Sequence, residues 1–190
     1  MVPEELTVPP ARATRRAVLV LGIVATVIVV ADVVSKYLVV AHLSHHAPVR
    51  LLGGAMYLTL TRNSGAAFSL GTGVTFVFPV VSLLVMGWIG WMARRLRSVP
   101  WGIALGLILG GALGNVADRV FRAPGFMVGH VIDFISVFSP DGRYFAIFNV
   151  ADSALSCGVV LAILLELTGR RRDGTRVRDT KGSAAERAGD

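Results

Sequence analysis

The chain has 190 residues, 54% of them hydrophobic and only 16% charged, with a mean hydropathy of +0.66. Soluble domains of this size carry about 25% charged residues, so an ordinary water-soluble globule is excluded, and so is a disordered chain. The net charge of +7 would suit nucleic acid unless the positions of the basic residues say otherwise, and the single cysteine, Cys157, leaves no intrachain disulfide or cysteine metal site.

The first element is predicted over Ala17 to Val40, apolar apart from Thr26, Ser35 and the charged pair Asp32 and Lys36. Crossing about 30 Å of hydrocarbon takes roughly 20 mainly apolar residues, and this run is long enough. A cleaved signal peptide is the competing reading. The apolar pattern continues past Asp32 to Val40, which favours a retained helix. Next, the segment 42–72 contains Met56-Tyr-Leu-Thr-Leu-Thr-Arg-Asn63, where apolar and polar residues alternate. That period of two predicts a strand with one greasy and one polar face. It runs into Ser64-Gly-Ala-Ala-Phe-Ser-Leu-Gly-Thr-Gly73, a small-residue stretch suited to turns. Further apolar helices are predicted over about 74–93, 99–119 and 144–167, the last carrying Asp152 with Asn149 beside it. The tail 169–190 is charged and rich in Gly and Ala, without apolar periodicity, and reads as disordered.

The expectation is an all-α integral membrane protein, with four spanning helices and a small extracytoplasmic β element. Residues 1–16 precede the helical domain 17–168. Arg12, Arg15 and Arg16, the link residues Arg94, Arg95 and Arg97, and the seven basic residues after Leu167 would share one side of the membrane. They make thirteen of the 19 lysines and arginines. The positive-inside rule places that side, and both termini, in the cytoplasm. The basic surplus is then topological, and no nucleic-acid partner is expected.

With that orientation the polar residues gather at one level. Asp32 and Lys36 lie in the outer half of the first helix. Asn115, Asp118 and Arg119 sit at the outer end of the third. Asn149 and Asp152 occupy the first turns of the fourth, and Asn63 and Asp133 lie in outer loops. Ionisable residues in spanning segments mark functional sites by default. Each also has a plainer reading. Asp32 with Lys36, at i, i+4, reads first as a structural ion pair. Asp118 with Arg119 can be an interfacial pair anchoring a helix end, and Asn115 and Asn149 can be interhelical glue. Cys157 reads as a lipid or packing contact. Asp133 and Asp152 have no local cation, so structure alone explains them least.

Two carboxyl groups held close together share a proton, which supplies a base to activate water and an acid for the substrate. Four histidines (His42, His45, His46, His130) show no HExxH spacing, and none lies in a spanning segment to serve a serine nucleophile. An aspartyl hydrolase is the first reading. A proton-coupled transporter stays open beside it, and so does a non-catalytic scaffold. The inner halves of the helices carry no ionisable relay, which weighs against transport.

Asp32-Val-Val-Ser-Lys36, Asn63-Ser-Gly-Ala-Ala-Phe68, Gly110-Gly-Ala-Leu-Gly-Asn-Val-Ala-Asp-Arg119, Val131-Ile-Asp-Phe134 and Phe145-Ala-Ile-Phe-Asn-Val-Ala-Asp-Ser153 occur in that order. Together they resemble lipoprotein signal peptidase, or signal peptidase II, over roughly residues 17–168. The resemblance implies an intramembrane aspartyl protease of the bacterial cytoplasmic membrane. Such an enzyme cleaves prolipoprotein signal peptides just before a cysteine carrying diacylglycerol. It implies Asp133 and Asp152 as catalytic, with Asp32, Lys36, Asn63, Gly65, Asn115, Asp118, Arg119, Asn149 and Ala151 as support or substrate-binding residues. It also implies no metal or cofactor, membrane lipid as a partner and inhibition by the cyclic peptide globomycin. The segment 42–72 would be a β-cradle, and Arg122 to Gly129 would match a mobile helix over the site. The charged tail and the segment before Arg12 exceed the family pattern, and their charge suits anionic lipid.

Overall fold

The computed structural model describes residues 11–65 and 77–176, and the expectations for 1–10, 66–76 and 177–190 lie outside these described residues. Its elements are α1 (Ala11–Leu43), β1 (Val49–Leu51), β2 (Met56–Asn63), α2 (Val77–Ala93), α3 (Val99–Phe121), β3 (Val131–Val137) and α4 (Val150–Leu167). A short 3-10 turn, Leu52–Gly54, joins β1 to β2.

The helix α1 begins earlier than the apolar run, at Ala11, because Arg12, Arg15 and Arg16 are good helix formers and carry the winding beyond the greasy stretch. Three helical segments are long and apolar enough to cross a membrane: Thr14–Leu43, Val99–Phe121 and Val150–Leu167. The described part of α2 has 17 residues, about 26 Å of helix.

The usual arrangement of polar and apolar residues is inverted. Leu19, Ile23, Val27, Val30 and Val34 on α1 are exposed, as are Leu84, Trp88 and Trp91 on α2 and Val160, Ile163 and Leu164 on α4. Asp32, Lys36, Asp118, Arg119, Asp133 and Asn149 are buried. Contiguous apolar surface on this scale has hydrocarbon as its solvent.

The central helix is α3. A stripe of glycine at every fourth position lets α1 run alongside it in parallel. A Cβ at Gly102 would lie 2.6 Å from the Ala17 carbonyl oxygen, at Gly106 2.8 Å from that of Leu21, and at Gly110 2.9 Å from that of Ala25. The antiparallel α4 docks on the neighbouring face, where its own Gly158 passes the Ala104 carbonyl. Close backbone packing of this kind holds membrane helices together where lipid removes the hydrophobic drive. At the end away from the sheet, Leu21, Ile89, Met92, Leu96, Trp101, Leu105 and Leu165 form the apolar core.

The strands form one antiparallel sheet in the order β1-β2-β3, with a register shift between Leu58 and Thr61. Its greasy face packs Ile132 and Phe134 with Leu58 and Leu60 against Val39 and Leu43 at the end of α1. Strand β2 matches the alternating stretch 56–63, whereas β3 falls where the sequence reading had only a loop. Its residues are nearly all buried, so it shows no alternation. The fourth helix begins at Val150 rather than 144. Asn149 caps it, and Phe148 is held in extended backbone by bridging Ile135.

Residues 122–129 form a loop of turns at the place where the family has a mobile helix. One other expectation is corrected. Residues 169–176 do not trail away: Arg170 bridges Arg176 and accepts from Trp101 Nε1 at 2.7 Å. The Arg172 carbonyl accepts from Arg97 and Ser98 N–H, and its guanidinium stacks over the Trp101 ring, 5.3 Å from the centroid. Residues 169–176 are anchored because their backbone caps the link between α2 and α3.

Candidate active site

Asp133 enters from the middle of β3 and Asp152 from the first turn of α4. Asn149 connects them. As the cap of α4, its Oδ1 accepts from Asp152 N–H at 2.9 Å, while Asp152 Oδ2 accepts from Asn149 N–H at 3.2 Å. This reciprocal capping box satisfies two otherwise orphaned donors of the helix end. The free amide of Asn149 then donates to Asp133 Oδ1 at 2.7 Å. One residue therefore starts the helix and ties the two acids together.

The remaining carboxylate oxygens are fixed by two more amides. Asn63 donates to Asp133 Oδ2 at 2.8 Å, and Asn115 donates to Asp152 Oδ1 at 2.7 Å. The orientation of all three amides is forced. Asn63 Oδ1 accepts from Gly65 N–H at 3.0 Å, and Asn115 Oδ1 accepts from Lys36 Nζ at 3.2 Å. With their oxygens engaged in this way, only the NH2 groups can face the acids.

Behind the amides lies a buried charge cluster. Lys36 Nζ sits 2.7 Å from Asp32 Oδ2 and 2.9 Å from Asp118 Oδ2. Asp32 Oδ1 accepts from Ala151 N–H at 3.0 Å, another N-terminal donor of α4. Asp118 also accepts from Ile132 N–H on β3 and from Arg122. The expected pairing of Asp118 with Arg119 is absent, since adjacent residues on a helix point apart. Arg119 turns instead to backbone. It donates to the carbonyls of Asn63 at 3.0 Å, Gly129 at 2.9 Å and Gly65 at 2.7 Å, binding the end of β2 to the turn before β3. Gly114 faces Asp32 so closely that a Cβ there would meet its carboxylate at 2.5 Å.

The two acids open onto one cavity of about 760 Å³ between α2, α3, α4 and the sheet. Asn63, Gly65, Asn115 and Arg119 give it a polar end, and Val77, Val81, Val116 and Phe148 give it apolar walls. Ser153, Ser156 and Cys157 line it too, a contribution the sequence reading did not foresee. Their signal was the spacing: 156 follows Asp152 by four residues and 157 follows Ser153 by four, so they share its helix face. Burial pushes the Asp133 carboxyl up to about 6, and the charge of Asp152 adds to the rise against the donations from Asn63 and Asn149.

The sequence model of the family described as Signal peptidase (SPase) II matches residues 24–168. The chain belongs to the signal peptidase II family. Among relatives, the lipoprotein signal peptidase of Streptomyces coelicolor is 47% identical over 87% of this chain and 78% of its own length. That of Rhodococcus jostii is 45% identical over 88% of this chain and 82% of its own. A solved bacterial membrane enzyme, determined by the in meso method at 2.3 Å resolution, superposes with a TM-score of 0.66 at 29% identity. That match covers 76% of this chain and 85% of the other. This signal peptidase II is thus a bacterial membrane protease, mostly helical with a small sheet, and the transporter alternative finds no support.

Proposed function

We propose that this signal peptidase II removes the signal peptide from prolipoproteins by aspartyl chemistry, cleaving just before the diacylglyceryl cysteine. The observation that carries the mechanism is the sharing of Asn149 by Asp133 and Asp152 at the polar end of one cavity. Two carboxyls in such an arrangement hold one proton between them. In this reading Asp133, the more deeply buried of the two, carries that proton as the acid, and Asp152, which is less buried, acts as the base.

The reaction then runs without a covalent intermediate. Asp152 takes a proton from water as the water oxygen attacks the scissile carbonyl carbon, and Asp133 gives its proton to the carbonyl oxygen. In the resulting diol, one hydroxyl proton returns to Asp133 while Asp152 passes its proton to the amide nitrogen. The C–N bond breaks, and the carboxyl and amine products leave. Asn63, Asn115 and Asn149 fix both acids, and Lys36, Asp32, Asp118, Arg119, Gly65 and Ala151 hold the elements that carry them. No metal or cofactor takes part.

Four spanning helices, with both termini in the cytoplasm, would place the site near the outer face, where water meets lipid. The thirteen basic residues on one side support that orientation. The acyl chains of the substrate stay in the bilayer, the peptide enters the apolar side of the cavity, and the sheet serves as a cradle beside it. Globomycin would compete for this cavity. The test is cleavage of a diacylglyceryl-modified prolipoprotein by purified wild type, Asp133→Asn, Asp152→Asn and Asp118→Asn proteins. Loss of turnover in the first two with retained fold supports the dyad. An inert Asp118→Asn with active Asp133→Asn or Asp152→Asn would overturn it.

A further inference from the structure

On the far face of the β2–β3 ribbon from the catalytic cavity lies a second cavity, of about 440 Å³. Its rim carries Arg62 from β2, Arg122 after α3 and His130 before β3, and its apolar lining comes from Val40, Pro124 and Ile132. Neighbouring strand residues point to opposite faces. Asn63 therefore serves the acids while Arg62 faces this second space.

The basic groups are available to a ligand. Among the described residues, Arg62 and His130 make no side-chain hydrogen bond or ion pair, and Asp118 engages only the Nε of Arg122. The terminal guanidinium nitrogens of Arg122 remain for another acceptor. Among the described residues that line the cavity there is no carboxylate, and Asp118 meets it only through Arg122.

The depth of the cavity identifies its occupant. The exposed apolar side chains of α1 continue up to Tyr37 and Leu38, after which His42, His45 and His46 follow. Val40 therefore stands at the border between hydrocarbon and water. Phe121 and Phe126, 85% and 76% exposed, flank the same loop as interfacial anchors. An anion at this level with an apolar body below it is a phospholipid.

We infer that the cavity of Arg62, Arg122 and His130 binds the phosphate of an anionic membrane phospholipid, whose glycerol and upper acyl chain rest on Val40 and Ile132. Arginine pairs with phosphate through two parallel N–H donations. Two arginines from separate elements, closing on one phosphate, would also tie β2 to the turn after α3. Arg119 ties the same two segments from the other side.

The experiment uses the full chain in detergent micelles, with retained lipid counted by native mass spectrometry. Phosphatidylglycerol, diacylglycerol and inorganic phosphate are titrated separately against wild type, Arg62→Gln and the double variant Arg62→Gln, His130→Gln. Prolipoprotein cleavage in each sample verifies the fold, since neither residue touches the acids. The expected result is saturable phosphatidylglycerol binding that weakens about tenfold in Arg62→Gln, the loss of one charge-assisted pair, and further in the double variant. Diacylglycerol should not compete. Equal phosphatidylglycerol binding by all three proteins would overturn the site. Equal retention of diacylglycerol would overturn recognition of the phosphate, and saturation by inorganic phosphate alone would overturn the lipid as its source.

Discussion

At the end of the bundle away from the sheet, the helices meet through the apolar side chains of Leu21, Ile89, Leu96, Trp101, Leu105 and Leu165. At the sheet end the same helices meet through Asp32, Lys36, Asn115, Asp118 and Asn149, nearly all buried. The apolar end tolerates exchange of one hydrocarbon for another of similar volume. The polar end does not, because each donor there has a named acceptor and removing one leaves a buried group unpaired. Stability is therefore distributed over both ends, while the proposed chemistry falls at the end whose contacts are specific.

The comparison can be broken most severely at the acids. Asp133→Asn or Asp152→Asn should lower prolipoprotein turnover by at least about a thousandfold, the scale for losing an acid–base partner, with unfolding in detergent little changed. A large loss of fold would instead make the pair structural. Next comes Lys36→Met, which leaves Asp32 and Asp118 facing each other without their cation. It should cost about 3 kcal/mol of stability, read from the SDS concentration of half-unfolding, and a double variant Asp32→Leu, Lys36→Met should recover part of it. At the opposite end, Leu105→Ala should cost about 2 kcal/mol from its cavity yet leave turnover per folded molecule unchanged.

The smallest effect sharpens the comparison by pH. Because Asp133 is raised to about 6 from an ordinary 3.8, the folded chain holds its proton more tightly than the unfolded one. Burial of this group therefore begins to cost stability as pH rises from about 4 and does so fully above about 6. Turnover that depends on the dyad's proton should fall over the alkaline limb of kcat/KM. Asn63→Ala removes a donation that favours the ionised form, so that limb should move to higher pH. A limb that stays in place or moves down would separate Asn63 from the titrating pair.

Much of this was legible in the sequence. The apolar helices follow from length alone, and Asp133 and Asp152 stood out because no nearby cation neutralised them. The pairing of Lys36 with Asp32 follows from their i, i+4 spacing. What was not legible has common physical causes. A strand buried on both faces, such as β3, shows no alternation and cannot be told from a loop or a helix fragment. Arg119 binds carbonyl oxygens, which every residue possesses, so nothing in the sequence marks its partners. The second carboxylate on Lys36 comes from Asp118, across two helices. The anchored stretch 169–176 is held by backbone groups, and composition alone said only that it was charged.

Asn149 has a consequence for the order in which the molecule is made. Ribosomal synthesis delivers β3 before α4, so Asp133 is present on the nascent chain well before Asp152. The residue that joins the two is also the one that begins the last helix. Until that helix has emerged and docked, the two acids are not joined. On the mechanism proposed above, completion of the chain would therefore be the event that arms the protease.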